Sequence, residues 1–111
     1  SYAITMHHFP PTGDKHVYMC VYNITSNVKE LGENVTNVGN WGINTVNGKN
    51  MYTPPCSQGP GAKAYIITVY ALSAAPVVTT APSATTMDVV VAAMTGKLLA
   101  KSEITVNYTR P

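Results

Sequence analysis

The chain has 111 residues, enough for one domain, and its apolar share of 45% is ordinary for a globular protein. Charged residues make up only 11%, against about a quarter in an average protein, and seven basic against five acidic side chains leave a formal net charge of +2. That balance, with no basic block of five residues, excludes a nucleic-acid polyelectrolyte surface; the longest apolar run, near Val89 to Ala93, is too short to span a bilayer and no signal peptide is visible, so a soluble domain is expected.

Ser1 to Met6 reads as a strand that starts without a leading turn, and residues 7–14 read as a loop because of Pro10, Pro11 and Gly13. From His16 to Ile24, alternation sets Val17, Met19 and Val21 on one face and Tyr18, Cys20, Tyr22 and Ile24 on the other. Both faces are mostly apolar, so this strand is expected inside a sheet covered on both sides. Thr25 to Asn50, rich in Asn, Gly and Thr, reads as a long loop with a helical turn near Val28 to Leu31 and with Trp41 anchoring it to the core.

Met51 to Leu72 joins a stiff loop (Pro54, Pro55, Gly59, Pro60, Gly61) to a run with the composition of a buried strand (Tyr65, Ile66, Ile67, Val69, Tyr70, Leu72). A rigid loop abutting a buried strand is a common place for a binding site. Ser73 to Ala84 is a Pro/Ala/Thr linker. Thr85 or Thr86 then caps a helix with Asp88 in its first turn, Met87, Val90, Val91 and Met94 on one stripe, and Gly96 at its end. From Leu98 onward, Ala100, Ser102, Ile104, Val106 and Tyr108 alternate with Leu99, Lys101, Glu103, Thr105 and Asn107, a strand with one wet face. The pattern as a whole is a mainly β single domain over residues 1–111.

The order Tyr52-x-Pro54-Pro55-Cys56, a Gly-rich run, x-x-Tyr65 and then Val69-Tyr70-Ala71-Leu72 resembles the signature of the phosphatidylethanolamine-binding protein family, in its bacterial and archaeal Raf-kinase-inhibitor-like branch. Ser1-Tyr2-Ala3, Val21-Tyr22-Asn23-Ile24 and Ala92-Ala93-Met94-x-Gly96-x-Leu98-Leu99-Ala100 fall in the family's order, so the resemblance covers nearly the whole chain. It implies a β-sandwich with a Greek-key-like core, one C-terminal helix and a small anion pocket at one end. Family members carry several dozen residues before the Ser-Tyr-Ala strand, so the domain is expected to be incomplete at its N-terminus. A second chain or a protein partner would then complete the sheet.

In the family an Asp-Pro-Asp-Ala-Pro motif follows the first strand, and its carboxylates join two histidines and a tyrosine around a phosphate-sized anion. Here the segment is His7-His8-Phe9-Pro10-Pro11, with His8 nearest the first Asp and Pro10 near the second, so neither acid is kept. The family's strand histidine falls on Tyr18 and the histidine of its His-Arg-Tyr on Lys63, with Ala64 in place of Arg; Tyr65 and Pro55 match outright. The ligand-binding set implied is therefore His8, Tyr18, Pro55, Lys63 and Tyr65. Lys63, Tyr18, Tyr65 and His7 or His8 are donors with no nearby acid to compete, which suits a small anion or a phospholipid head group, and an imidazole beside a lysine should titrate low. The opposing reading is that Tyr18 and Phe9 fill the pocket.

The resemblance thus implies a non-enzymatic binding module that needs no cofactor; the alternative is a protein-interaction or inhibitor protein whose pocket no longer works and which uses the Thr25 to Asn50 loop or an open edge. No acid and base pair is set up for catalysis. His7, His8 and His16 are close in sequence, but adjacent strand residues point to opposite faces, which disfavours shared metal ligation. Cys56 with His8 lacks an acid to orient the imidazole as a nucleophilic pair. Cys20, taken to share a face with Tyr18, is instead a candidate disulfide partner for Cys56. Abundant Thr and Asn with little Lys and Glu lean toward an extracellular surface; three glycosylation sequons, where chance gives roughly one or two, add little, and the compartment stays open.

Overall fold

The structure, a computed structural model, describes residues 1–10, 13–32, 36–54 and 62–109. Its elements are β1 (Tyr2–His8), β2 (His16–Ile24), β3 (Asn40–Trp41), β4 (Ala62–Leu72), a 3-10 turn at Pro82–Ala84, α1 (Met87–Ala93) and β5 (Leu98–Thr109). All strand pairs are antiparallel, in the order β3-β2-β1-β4-β5. β1, β2 and β3 follow one another and β4 returns beside β1, which is a Greek-key arrangement. The chain is mainly β, as the sequence pattern implies. The described residues form one sheet, with α1 packed on one face.

β1 lies in the middle because nearly every residue has something to bury, and its backbone pairs on both sides. It runs to His8 rather than stopping at Met6, since His7 pairs with Val17 on one side and Ile66 on the other. Loop chemistry takes over only where Pro10 removes a donor. The segment Val28 to Leu31 holds no helical turn; a bend at Ser26–Asn27, closed by Val28 N–H to Thr25 O at 3.1 Å, is all that forms there.

β2 contains two irregularities that break its alternation. β1 advances one residue from Met6 to His7 while β2 spends two, Met19 to Val17, so Tyr18 is an extra residue without a cross-strand partner. A second extra residue falls between Val21 and Ile24, where Asn23 takes a left-handed φ of 57°. Each bulge reverses the phase of the side chains that follow. Val17, Cys20 and Tyr22 therefore share the helix face with Ala3, Leu72, Met87, Val90 and Met94. Tyr18 joins Met6 and Tyr65 on the other face, with Met19, Tyr52, Ile67 and Tyr108 packed around them. The expectation that Cys20 and Tyr18 share a face is thereby corrected.

Helix α1 has seven residues, too few to be stable by itself. Thr86 caps it by accepting from Val89 N–H at 3.2 Å, and Gly96 with φ 78° turns the chain out of it. Its hold on the sheet comes from buried Met87, Val90 and Met94, each worth about 1.5–3 kcal/mol of burial. Val91 is half exposed, so the apolar stripe is narrower than its spacing suggests. The Lys15–Asp88 ion pair ties the β1–β2 loop to the helix start, but it is solvated and worth at most ~1 kcal/mol.

The loop from Gly39 to Thr53 is stitched to β2 by its backbone. Gly42 N–H donates to Cys20 O at 2.8 Å, Thr45 N–H to Val17 O at 2.9 Å and Thr53 N–H to Tyr18 O at 2.9 Å. Fully buried Asn44 holds the loop in shape, its amide donating to Lys49 O and Met51 O while its oxygen accepts from Val46 and Asn47 N–H. Trp41, in β3 opposite Val21, is only half buried.

Gly39 has φ 64°, and a Cβ there would sit 2.3 Å from Tyr22 O. Gly48, with φ 73°, has open space around it. Gly48→Ala should therefore cost only about 1 kcal/mol of left-handed strain, whereas Gly39→Ala should cost about 2 kcal/mol or more because backbone must also move. Urea unfolding of the two variants, followed by circular dichroism, checks the difference.

Candidate functional site

β1 delivers His7 and His8 to one end of the sheet, and the strand pleat sends them to opposite faces. The β1–β4 ladder ends at His7–Ile66, and the side chain of His8 takes over: its Nδ1 lies 2.9 Å from Ala64 O. A carbonyl can only accept, so Nδ1–H is the donor and a neutral His8 presents Nε2 as an acceptor. The ring is thereby held 5.4 Å from that of Tyr65 and 6.3 Å from that of His16.

Tyr65 is 1% exposed and is the hub of this end of the sheet. Tyr18 meets it edge to face at 5.3 Å and 76°, and Tyr108 approaches at 6.4 Å and 65°. Such edge-on pairs are worth about 0.5–1.5 kcal/mol beyond burial. Lys63 stands two residues before Tyr65, hence on the same face of β4, half buried and directly across from Tyr108 of β5.

Of the residues singled out from sequence, His8, Tyr18, Lys63 and Tyr65 thus share one end of one face. Pro55 and Cys56 lie outside the described residues, as does the pairing of Cys56 with Cys20. Sequence reasoning missed Tyr108, Tyr52 and His16 as members of the cluster. Tyr108 was recoverable in principle, since its alternation with Val106 puts it on the same face of β5 as the partner of Tyr65.

The electrostatics of the other face differ. His7 is 8% exposed, stacks edge-on against Phe9 at 5.0 Å, and its Nδ1 has no hydrogen-bond partner among the described residues. Burial holds its pKa below the ordinary value; Lys15 and His8 push the same way, and Glu103 opposes them. Phe9 therefore belongs to the helix-face side of the loop, beside an open groove of about 530 Å³ lined by Lys15, Val17, Thr86 and Asp88, and does not plug the Tyr65 cluster. Cys20 is buried, and burial pushes the pKa of its thiol up to about 12, so as a thiol it is protonated at neutral pH. Among the described residues no three His, Cys, Asp or Glu side chains converge as a metal site, and no helix is long and apolar enough to cross a membrane.

The family model for phosphatidylethanolamine-binding proteins matches residues 1–109. The crystal structure of a phosphatidylethanolamine-binding protein homologue from Chlamydia trachomatis has the same fold, with a TM-score of 0.83 over 99% of this chain and 72% of that one, at 24% sequence identity. No curated protein matches the sequence.

His7 makes stability depend on pH. Its folded pKa lies below the unfolded value of 6.5, so between the two the unfolded chain binds more protons. Its contribution is complete above pH 6.5 and is lost as pH falls through the lowered folded value. His7→Gln should flatten the dependence of the urea midpoint on pH below 6.5, whereas an unchanged slope would assign the dependence elsewhere.

Proposed function

Because the chain belongs to the phosphatidylethanolamine-binding protein family, we propose that it is a non-enzymatic binding module that takes a small phosphate-type anion, free or as a lipid head group, at the end of the sheet marked by Tyr65. The observation that carries this reading is the grouping of Lys63, His8 and Tyr18 around Tyr65 on one face, with no Asp or Glu among them.

The chemistry is charge neutralisation by Lys63 at the half-buried rim of an aromatic floor, where a lower local dielectric strengthens an ion pair relative to water. His8, fixed by its bond to Ala64, offers Nε2 as an acceptor to a protonated phosphate hydroxyl when neutral and as a donor to the dianion when protonated. The two acids of the family motif are replaced by His8 and Pro10, which removes repulsion toward an anion.

A second reading, a protein-interaction or inhibitor module whose pocket no longer takes a ligand, is supported by the depth at which Tyr65 and Tyr18 are packed, 1% and 7% exposed. The two readings part in a titration of inorganic phosphate and of phosphorylethanolamine into isotopically labelled protein. Anion binding should shift the amide signals of Lys63 to Tyr65 and His8 saturably, and Lys63→Met should weaken the affinity at least tenfold. Absence of any shift at millimolar phosphate would leave the interaction reading in place.

A further inference from the structure

The two edges of the sheet are unlike. β3 is two residues long, while β5 has twelve and is the terminal strand on its side. Every described side chain of β5 except Tyr108 is exposed on both faces, including Leu99 at 70%, Ile104 at 59% and Val106 at 42%. The expectation of one wet face is therefore too dry: both are wet. Among the described residues no strand pairs with the outer backbone of β5, and a long edge of this kind is a ready template for another strand.

The sequence of β5 says which strand. Two copies paired antiparallel at their edges are related by a two-fold axis perpendicular to the sheet, so each residue faces one on the same side, and the register is fixed by its central residue. With Ser102 at the centre, Lys101 of each copy faces Glu103 of the other, giving two opposite-charge pairs. Ala100 then faces Ile104; beyond Ala100 the strand carries an extra residue at Leu99 opposite the Ala71–Leu72 step, so the regular pairing ends there. Centring on Lys101 or Glu103 sets like charges against each other, and centring on Ile104 forms no ion pair. Only the Ser102 register pairs both charges within the strand while setting Ala100 against Ile104 on the other face.

Neither charge is satisfied within its own copy by an ion pair among the described residues, where Lys15–Asp88 is the sole one. Glu103 accepts only a long 3.4 Å contact from Thr68 Oγ1. We infer that the partner of β5 is a second copy of this chain, joined edge to edge in the Ser102 register so that two five-stranded sheets become one continuous sheet. The inference is independent of the anion site.

Charge reversal tests it. By light scattering coupled to gel filtration, the wild-type chain should run at twice its 11.8 kDa mass at high micromolar concentration. Lys101→Glu and Glu103→Lys, each of which faces like charges, should shift the equilibrium at least tenfold toward monomer, and the double reversal should restore the dimer. Circular dichroism confirms that each variant is folded. In a Cys56→Ser background, Ser102→Cys should give a disulfide-linked dimer on mild oxidation, because that residue meets its own copy. A monomeric wild type would overturn the inference, leaving Lys101 and Glu103 as guards that keep the edge unpaired. So would a dimer indifferent to the single reversals, or a Ser102→Cys chain that does not cross-link.

Discussion

The extra residue that β2 spends at Tyr18 is the constraint on which the rest of the arrangement depends. Without it, the two-residue period would carry Tyr18 and Cys20 to one face and Met19 to the other. With it, the Tyr18 ring crosses to the face of Tyr65, while Val17 and Cys20 turn toward α1. The bulge is pinned from outside the sheet. Val17 and Tyr18 both give their carbonyls to the Gly39–Thr53 loop, through Thr45 and Thr53 N–H, and Thr45 Oγ1 accepts from Val17 N–H. A local deviation from regular strand pairing is thus held by a loop that is itself locked by Asn44.

The two faces of the sheet do different work as a result. The helix face carries the larger apolar cluster, and there burial lowers the pKa of His7 and raises that of Cys20, so that both side chains are neutral at neutral pH. The opposite face gathers aromatic rings and one cation around Tyr65 at one end. Toward its other end that face is thinner, with a shallow groove of about 290 Å³ between Tyr2, Ile4, Ile24, Leu31 and Val69. Structural cost is concentrated on one side and recognition chemistry on the other, with β1 and β4 common to both.

Much of this was readable from residue order. The β4 strand follows from its run of Tyr, Ile and Val, the helix cap from Thr86 ahead of Asp88, and the family from the Pro-Pro-Cys to Tyr65 signature, which the match over residues 1–109 bears out. The positions of Lys63 and Tyr65 on one face required only the pleat. What could not be read was the phase of β2, because a bulge is decided by the partner strand and by loop hydrogen bonds far away in sequence; Cys20 and Tyr22 do share a face opposite Met19, but the expectations that crossed the bulge, the shared faces of Cys20 with Tyr18 and of Val17 with Met19, failed for that one reason. The fold of the Gly39–Thr53 loop was hidden for a similar cause. Asn44 looks like any loop asparagine until four backbone groups converge on it. β5 was recognisable as a strand, but its exposure on both faces depends on there being no neighbour beyond it among the described residues.

Side-chain contacts measured by nuclear Overhauser effects test the bulge most directly. Tyr18 ring protons should show contacts to the Tyr65 ring and to Met6, while the Cys20 β-protons should show contacts to the methyl groups of Val90. Contacts from the Tyr18 ring to Val90, or from Cys20 to Tyr65, would mean that β2 keeps an unbroken period, and the grouping of Tyr18 with Tyr65 would then be wrong.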